Sequence, residues 1–413
     1  MEYVQVGLGY RSQAFKRVMA DMAEHECVGL VLRRGRAASV SVPVFTDLDE
    51  CLSQIHPDFV LSFAPGTATG QVIRTAVSHG TPVLVETPPA GAVAELDDLS
   101  DMVDSGLVQV AEQYPMMPGN MARLEVVRRG LIGEISQVQV SSTQTYHAMA
   151  LIRAYLGCGG SAEGSTGGTG LAGGVGAGQS DAGFVRPGGH QGVQPTGHME
   201  DDALRGCRVA GGDAVPRAGD GRSDAGSVRL GGYPVVRAAR FAGPLVNPLS
   251  RAGWTDDDAT HQAATVLASV DFGDGRSGVY DFTDNQTRNL LRTRRLLLRG
   301  SHGEISGDQV VRLADHNLIT TTYLNRRQTG HDLDLNGYCT YQITLGDQVV
   351  WTNPWPDKRW NDDELGVAEL LRRMTAWLRG EGAAPYPLSE AIYDTRLGLA
   401  IEEAVAKDQP VRV

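Results

Sequence analysis

Tyr3-Val4-Gln5-Val6-Gly7-Leu8-Gly9-Tyr10-Arg11-Ser12 is the stretch on which the reading of this chain turns. A short apolar run ends on two glycines one residue apart. The next segment, Gln13 to Glu24, then places Phe15, Val18, Met19 and Met22 on one face of a helix. A strand that turns sharply into a helix with G-x-G-x-x-G/A spacing, here with serine in the third place, fits a pyrophosphate cradle. Gly7 permits the tight turn, Gly9 lets backbone amides come close, and the helix N-terminus stabilises negative charge. The flanking strand and helix are what make the glycines informative; the competing reading is an empty structural turn. Ser12 is bulkier than glycine and predicts slightly looser packing of helix on strand.

Outward from this corner, Cys27 to Leu32, Phe59 to Phe63, Pro82 to Val85 and Leu107 to Ala111 read as further strands. A helix over Thr69 to Ser78 with a stop at Gly80 lies among them. Short apolar strands separated by helices predict an α/β Rossmann domain, a parallel sheet covered on both faces, over residues 1–116. From Pro118 the pattern changes. A helix over Asn120 to Arg129, a strand over Ile135 to Ser141 and an apolar helix over Met149 to Leu156 come first. Strands over Ala264 to Phe272, Gly278 to Thr283, Arg294 to Arg299 and Tyr341 to Leu345 follow, and Asp362 to Gly380 and Leu388 to Lys407 close the chain as helices. Residues 117–413 therefore predict an α+β domain with an open, mainly antiparallel sheet. Its exposed face suggests pairing into homodimers or homotetramers.

Between Gly157 and Tyr233 the folded pattern stops. Twenty-four of these 77 residues are glycine, against 51 in the whole chain, and apolar periodicity is absent. Such a segment buries too little surface to offset its backbone entropy, so it reads as a disordered or loosely ordered insertion. Its glycine, alanine, arginine and aspartate mix also resembles GC-rich DNA translated out of frame, a second reading that resequencing would test.

Charge and composition remove several classes of function. A formal net charge of −12 opposes general binding to a phosphate backbone. No segment is a membrane span, and the N-terminus enters a strand without a signal-peptide pattern. The five cysteines, Cys27, Cys51, Cys158, Cys207 and Cys339, are scattered without a C-x-x-C pair, which predicts reduced thiols in a cytoplasmic protein. His331-Asp332-Leu333-Asp334 lacks the spacing of a metal site, and no metal is expected. Lysine occurs only at Lys16, Lys358 and Lys407.

The end of the second strand normally reads the adenosine ribose, with a carboxylate for NAD and arginine for the 2′-phosphate of NADP. Leu32 is followed by Arg33, Arg34 and Arg36, so NADP is favoured over NAD; a solvated basic loop is the alternative.

With these features in order, the chain resembles the glucose–fructose oxidoreductase/inositol dehydrogenase (Gfo/Idh/MocA) family. Gly7 to Ser12 resemble its dinucleotide loop, and Ala64-Pro65 its Thr-Pro after the fourth strand. Val85-Glu86-Thr87-Pro88 stands where the family has Glu-Lys-Pro, and Ala111-Glu112-Gln113-Tyr114 resembles its Ala-Glu-Asn-Tyr strand. Gly130 to Ile135 and Arg299 to Ile305 resemble its later turns. The resemblance implies NAD(P) in the first domain and a sugar, polyol or related cyclic alcohol placed by the second. Gly7, Gly9, Tyr10, Arg11, Ser12, Arg33, Arg34, Ala64, Pro65, Glu86, Thr87 and Gln113 would line the cofactor, with Thr87 and Gln113 beside the nicotinamide.

The family's usual proton carriers are the Lys of Glu-Lys-Pro and a His at a helix start. Here the first is Thr87, which cannot serve as a cationic donor, and of the lysines only Lys358 is placed to reach a cleft. His147 in Tyr146-His147-Ala148-Met149-Ala150 matches the histidine, the side-chain type best suited to acid/base work at neutral pH, with Tyr146 and Arg153 as helpers. A packed histidine at a helix start is the alternative. Asp284 and Asn285 are weaker candidates for binding substrate hydroxyls, and a solvated turn explains them equally. Asn361 and Asp362 look first like a helix N-cap. The leading expectation is hydride transfer to or from a sugar or polyol. A catalytically silent sensor or scaffold that keeps the dinucleotide site is the alternative, and an insertion-damaged enzyme a third.

Overall fold

The computed structural model describes residues 1–32, 41–158, 234–250, 253–255, 257–330 and 339–413. Arg33, Arg34 and Arg36, nearly all of the glycine-rich segment and the His331–Asp334 run lie outside these residues. Elements follow the chain as β1 (Glu2–Val6), α1 (Ser12–Asp21), β2 (Glu26–Val31), β3 (Val44–Phe45), α2 (Leu48–Gln54), β4 (Phe59–Ser62), α3 (Gly66–Ser78), β5 (Val83–Val85), α4 (Val93–Ser100) and β6 (Val108–Val110). These strands form one parallel sheet in the order β3-β2-β1-β4-β5-β6. Every residue of β4, β5 and β6 is buried, as continuous apolar runs covered on both faces require. Strand order reverses between β1 and β4, which opens a crevice at their carboxyl ends. On one side of the sheet α1 buries Phe15, Val18 and Met19, with Phe15 edge-on to Phe63 at 5.2 Å.

The second part runs α5 (Pro118–Arg128), β7 (Ile135–Ser141), α6 (Thr145–Leu156), β8 (Val235–Val246), β9 (Leu249–Ser250), β10 (Gly253–Trp254), β11 (Thr260–Gly273) and β12 (Arg276–Thr283). It continues with β13 (Arg295–Gly300), β14 (Gly303–Ser306), β15 (Gln309–Asp315), β16 (Leu318–Thr329), β17 (Cys339–Leu345), β18 (Gln348–Thr352), α7 (Asp362–Leu378), α8 (Leu388–Lys407) and β19 (Val411–Arg412). Eleven strands form an open sheet, β18-β17-β16-β15-β14-β13-β7-β12-β11-β8-β19, antiparallel except at β7–β12. The fold is thus a parallel Rossmann sheet joined to a mainly antiparallel one, and the described residues of both belong to one unit.

Helix α6 lies tightly on this second sheet. A Cβ at Gly278 of β12 would stand 2.7 Å from Ile152 of α6, so only glycine admits the helix at this depth. Helix α7 starts where Asn361 predicts. The Asn361 side chain accepts from the Glu364 amide at 3.0 Å, and the Glu364 carboxylate accepts from the Asn361 amide at 2.9 Å. On the sheet face away from the helices, Leu313, Ile319 and Tyr323 are 45%, 71% and 52% exposed.

The structure extends the sequence reading in several places. Strands β8, β15, β16 and β18 and helices α2 and α4 arise where apolar periodicity is weak. Helix α6 begins at Thr145, four residues before the expected Met149, and so takes Tyr146 and His147 into its first turn. Gly157, read as the first residue of the insertion, instead closes α6 with φ +67°.

Candidate active site

The glycine corner is built as its residues demand. Gly7 has φ +82°, and a Cβ there would come within 3.2 Å of the Phe63 carbonyl oxygen. Gly9 faces the same oxygen at 3.5 Å, so both glycines keep the loop pressed against the end of β4. Ser12 does not loosen the packing: it is 2% exposed, and its hydroxyl donates to the Gly9 carbonyl at 2.6 Å. The first-turn amides of α1, Ser12, Gln13 and Ala14, donate to the Gly9, Tyr10 and Arg11 carbonyls at 3.1, 3.2 and 3.1 Å, while Leu8 and Tyr10 stand exposed on the loop. Ala64 and Pro65 enter the crevice from β4, Pro65 as the residue before α3.

Arg11 ties this loop to the rest of the site. Its Nε lies 3.4 Å from Glu86 and its Nη1 2.8 Å from Asp363 at the start of α7. Gln113, three residues after β6, donates to the other Asp363 oxygen at 2.8 Å. Burial pushes the Glu86 carboxyl above its ordinary range, and Arg11 opposes the shift. Glu86 precedes Thr87, whose peptide bond to Pro88 is cis.

His147 reaches the same crevice from α6. Its Nδ1 lies 2.5 Å from Glu112 Oε2, and its ring stacks on Tyr114 with centroids 4.2 Å apart. Glu112 is fully buried, and its second oxygen accepts the Tyr114 amide at 2.9 Å. A carboxylate that takes Nδ1 fixes the ring's orientation and leaves Nε2 as the nitrogen open to a ligand. Tyr146 meets the ring edge-on at 5.4 Å. Burial raises its phenol well above the ordinary range, and its oxygen has no hydrogen-bond partner among the described residues. Arg11 Nη2, Glu86 Oε2 and Gln113 Oε1 are also buried without a partner among the described residues. Unsatisfied polar atoms cost about 1–3 kcal/mol each, so four of them around one crevice mark a place that a polar ligand completes.

Sequence reasoning passed over two members of this set. Glu112 was visible only as part of a strand motif, and Asp363 only as an acidic first turn. The pairing of Glu112 with His147 spans 35 positions, so no local spacing signals it.

Other candidates are engaged elsewhere. Arg153 is 3% exposed and points to α8, where it pairs with Asp394 at 2.5 Å and with Glu390. Asp284 accepts the Ala264 amide at 2.9 Å, and Asn285, at φ +59°, donates to the Leu249 carbonyl. Lys358 pairs with neighbouring Asp357 at 3.0 Å. His302 occupies the turn between β13 and β14, bonded to Ser301 at 2.8 Å. Among the described residues no His, Cys, Asp or Glu group is arranged to hold a metal, and no helix is long and apolar enough to cross a membrane.

Residues 1–114 match the family described as the GFO_IDH_MocA oxidoreductase family, NAD-binding Rossmann fold. The match covers the glycine corner and the parallel sheet, and ends just after β6. No curated protein matches the chain. Among solved structures, levoglucosan dehydrogenase in complex with NADH and levoglucosan is similar at 16% identity and TM-score 0.60, over 100% of this chain and 99% of that one. An oxidoreductase from Agrobacterium radiobacter, in complex with NAD+, L-tartaric acid and magnesium, has 12% identity and TM-score 0.57, over 100% and 98%. A myo-inositol dehydrogenase from Corynebacterium glutamicum has 11% identity and TM-score 0.56, over the same shares. At these identities the solved structures show a shared fold, from glycine corner to open sheet.

Proposed function

We propose that this protein is an NAD(P)-dependent oxidoreductase acting on a CH–OH group of a sugar, polyol or related cyclic alcohol, with His147 as its acid/base. The observation that carries the reading is the His147–Glu112 pair. It is a histidine held by a fully buried carboxylate, at the crevice where the glycine corner, Glu86, Thr87 and Gln113 also lie.

The residues present fit a dinucleotide. Gly7 and Gly9 let the loop close onto the Phe63 carbonyl without a side chain between them, and Arg11 offers a buried N–H with no partner among the described residues to a phosphate or ribose oxygen. Tyr10, Ser12, Ala64 and Pro65 border the same space, and Arg33 and Arg34 are the sequence-based grounds for preferring NADP to NAD. Bound there, the nicotinamide supplies or accepts the hydride. His147 Nε2 takes the hydroxyl proton as the alcohol C–H bond gives up its hydride and the C=O bond forms; in reverse it returns that proton to the carbonyl oxygen. Gln113, held by Asp363, and Thr87 position the reacting groups, and Tyr146 closes the wall behind the imidazole.

Residues 1–116 and 117–413 act in this reading as cofactor and substrate domains of a cytoplasmic protein. The exposed apolar face around Ile319 supports assembly as a homodimer or homotetramer. Thr87 favours a second reading, a silent sensor of the same fold, because the site lacks a lysine. A panel of sugars and polyols with NADP and NAD separates the two. The oxidoreductase reading expects turnover that falls by about 10²–10⁴-fold in His147→Asn. Turnover indifferent to that change, or none with any substrate, rejects the acid/base assignment.

A further inference from the structure

The connection from β12 to β13, residues 284–294, has to pass over the carboxyl end of β7, because β7 lies between those two strands. That end is Ser141, which leads in three residues to α6 and the turn carrying His147. The crossover is fastened there by buried amides. Gln286, 3% exposed, donates to the Ser141 and Thr293 carbonyls at 2.9 and 2.8 Å and accepts the Thr283 amide at 2.9 Å. Asn289, 1% exposed, donates to the Val246 carbonyl and to Asn247, and accepts the Leu291 amide. A loop that spends two buried side chains on its own shape is preorganised for something it displays.

What it displays is positive charge. Arg288, Arg292 and Arg294 fall within seven residues, and none has a carboxylate partner among the described residues. The next arginine, Arg295, is neutralised by Asp281. Arg288 and Arg294 converge on one residue: Arg288 Nη1 donates to the Thr287 hydroxyl at 3.5 Å, and Arg294 Nη2 donates to the Thr287 carbonyl. Two guanidinium groups brought together without a counter-charge, in a chain of net charge −12, create a local site for an anion.

We propose that Arg288 and Arg294 form an anion subsite beside the catalytic turn, and that the substrate is a polyhydroxylated molecule carrying a carboxylate or phosphate group. This deepens the oxidoreductase reading and rests on it only for what happens to the alcohol. The arginines take the anionic group as a point of anchorage, and the hydroxyl-bearing carbons extend from it toward His147. The planar fork of guanidinium suits both carboxylate and phosphate oxygens.

The test is calorimetric titration of the full chain with D-glucose, D-glucuronate, D-gluconate and D-glucose 6-phosphate, with NADPH fluorescence titrated in parallel. The expected result is binding of at least one anionic compound tenfold or more tighter than glucose, weakening with salt. Arg288→Gln/Arg294→Gln should erase that preference and leave NADPH affinity unchanged. Preference for the sugar acids marks a carboxylate substrate, and preference for the ester a phosphate. Equal binding of charged and neutral compounds, or a preference that survives the double change, overturns the subsite. Should the double variant fail to fold, the single Arg288→Gln and Arg294→Gln changes carry the same comparison. Loss of NADPH binding with the anion preference intact would remove the redox reading and leave the subsite standing.

Discussion

At its first turn α6 sets His147 against Glu112; two turns later it sets Arg153 against Asp394 and Glu390 on α8. Both are buried charge clusters on one helix, and they differ in what is left over. Around Arg153 the valences are nearly closed: both Nη groups are paired, the guanidinium lies over the Tyr393 ring at 4.5 Å, and Tyr386 donates to Asp394 at 2.5 Å. Among the described residues only Nε lacks a partner. Around His147, Nε2 faces the crevice, and Tyr146, Gln113, Glu86 and Arg11 each hold a buried polar atom unused. A satisfied cluster fixes two helices together, whereas an unsatisfied one waits for a ligand. Charge and burial alone do not tell the two apart.

The comparison breaks first at Arg153. Arg153→Met leaves Asp394 buried without its cation, and unfolding free energy in urea should fall by about 3–5 kcal/mol. A loss below about 1 kcal/mol would mean that the cluster does not hold α6 to α8. Glu112→Gln should do the opposite, lowering turnover on the order of 100-fold through loss of imidazole orientation and charge. Its signature is a fall in kcat with KM little changed, together with a stability change smaller than that of Arg153→Met; an unchanged kcat would reduce Glu112 to packing.

The smallest effect is in pH. Burial pushes the Asp394 carboxyl up to about 6, against the pull of Arg153 and Tyr386. Between the unfolded value near 4 and that of the folded state, the native protein binds a proton that the unfolded chain does not. The Asp394 contribution therefore grows as pH falls from about 6 to about 4 and diminishes as pH rises through that window. Asp394→Asn should flatten this part of the stability curve, and an unchanged slope would assign it to other groups.

The fold was legible where side chains repeat with a period. Tyr3 to Met22 gave strand, turn and helix from spacing alone, and Asn361 and Asp362 gave a helix start from an N-cap followed by an acidic first turn. Strands β15 and β16 were not legible, because Arg312, Thr320 and Thr322 interrupt the alternation that marks a half-buried strand. The site was legible to the extent that its chemistry lies in one short stretch. His147 stood out as a titratable residue at a helix start, but Glu112 and Asp363 acquire meaning only when distant strands and helices meet. Arg153 looked equally suited to catalysis in one dimension. Six positions along a helix turn it well away from His147, toward α8, and nothing in the sequence reveals that Asp394 is there to receive it.

All of this depends on a dinucleotide resting against Gly7 and Gly9. Fluorescence titration of the purified chain with NADPH and with NADH tests it most directly. The account predicts saturable binding in the micromolar range, tighter for NADPH, and lost when Gly9 is replaced by a bulky residue. Absence of binding by either nucleotide at high micromolar concentration would contradict it.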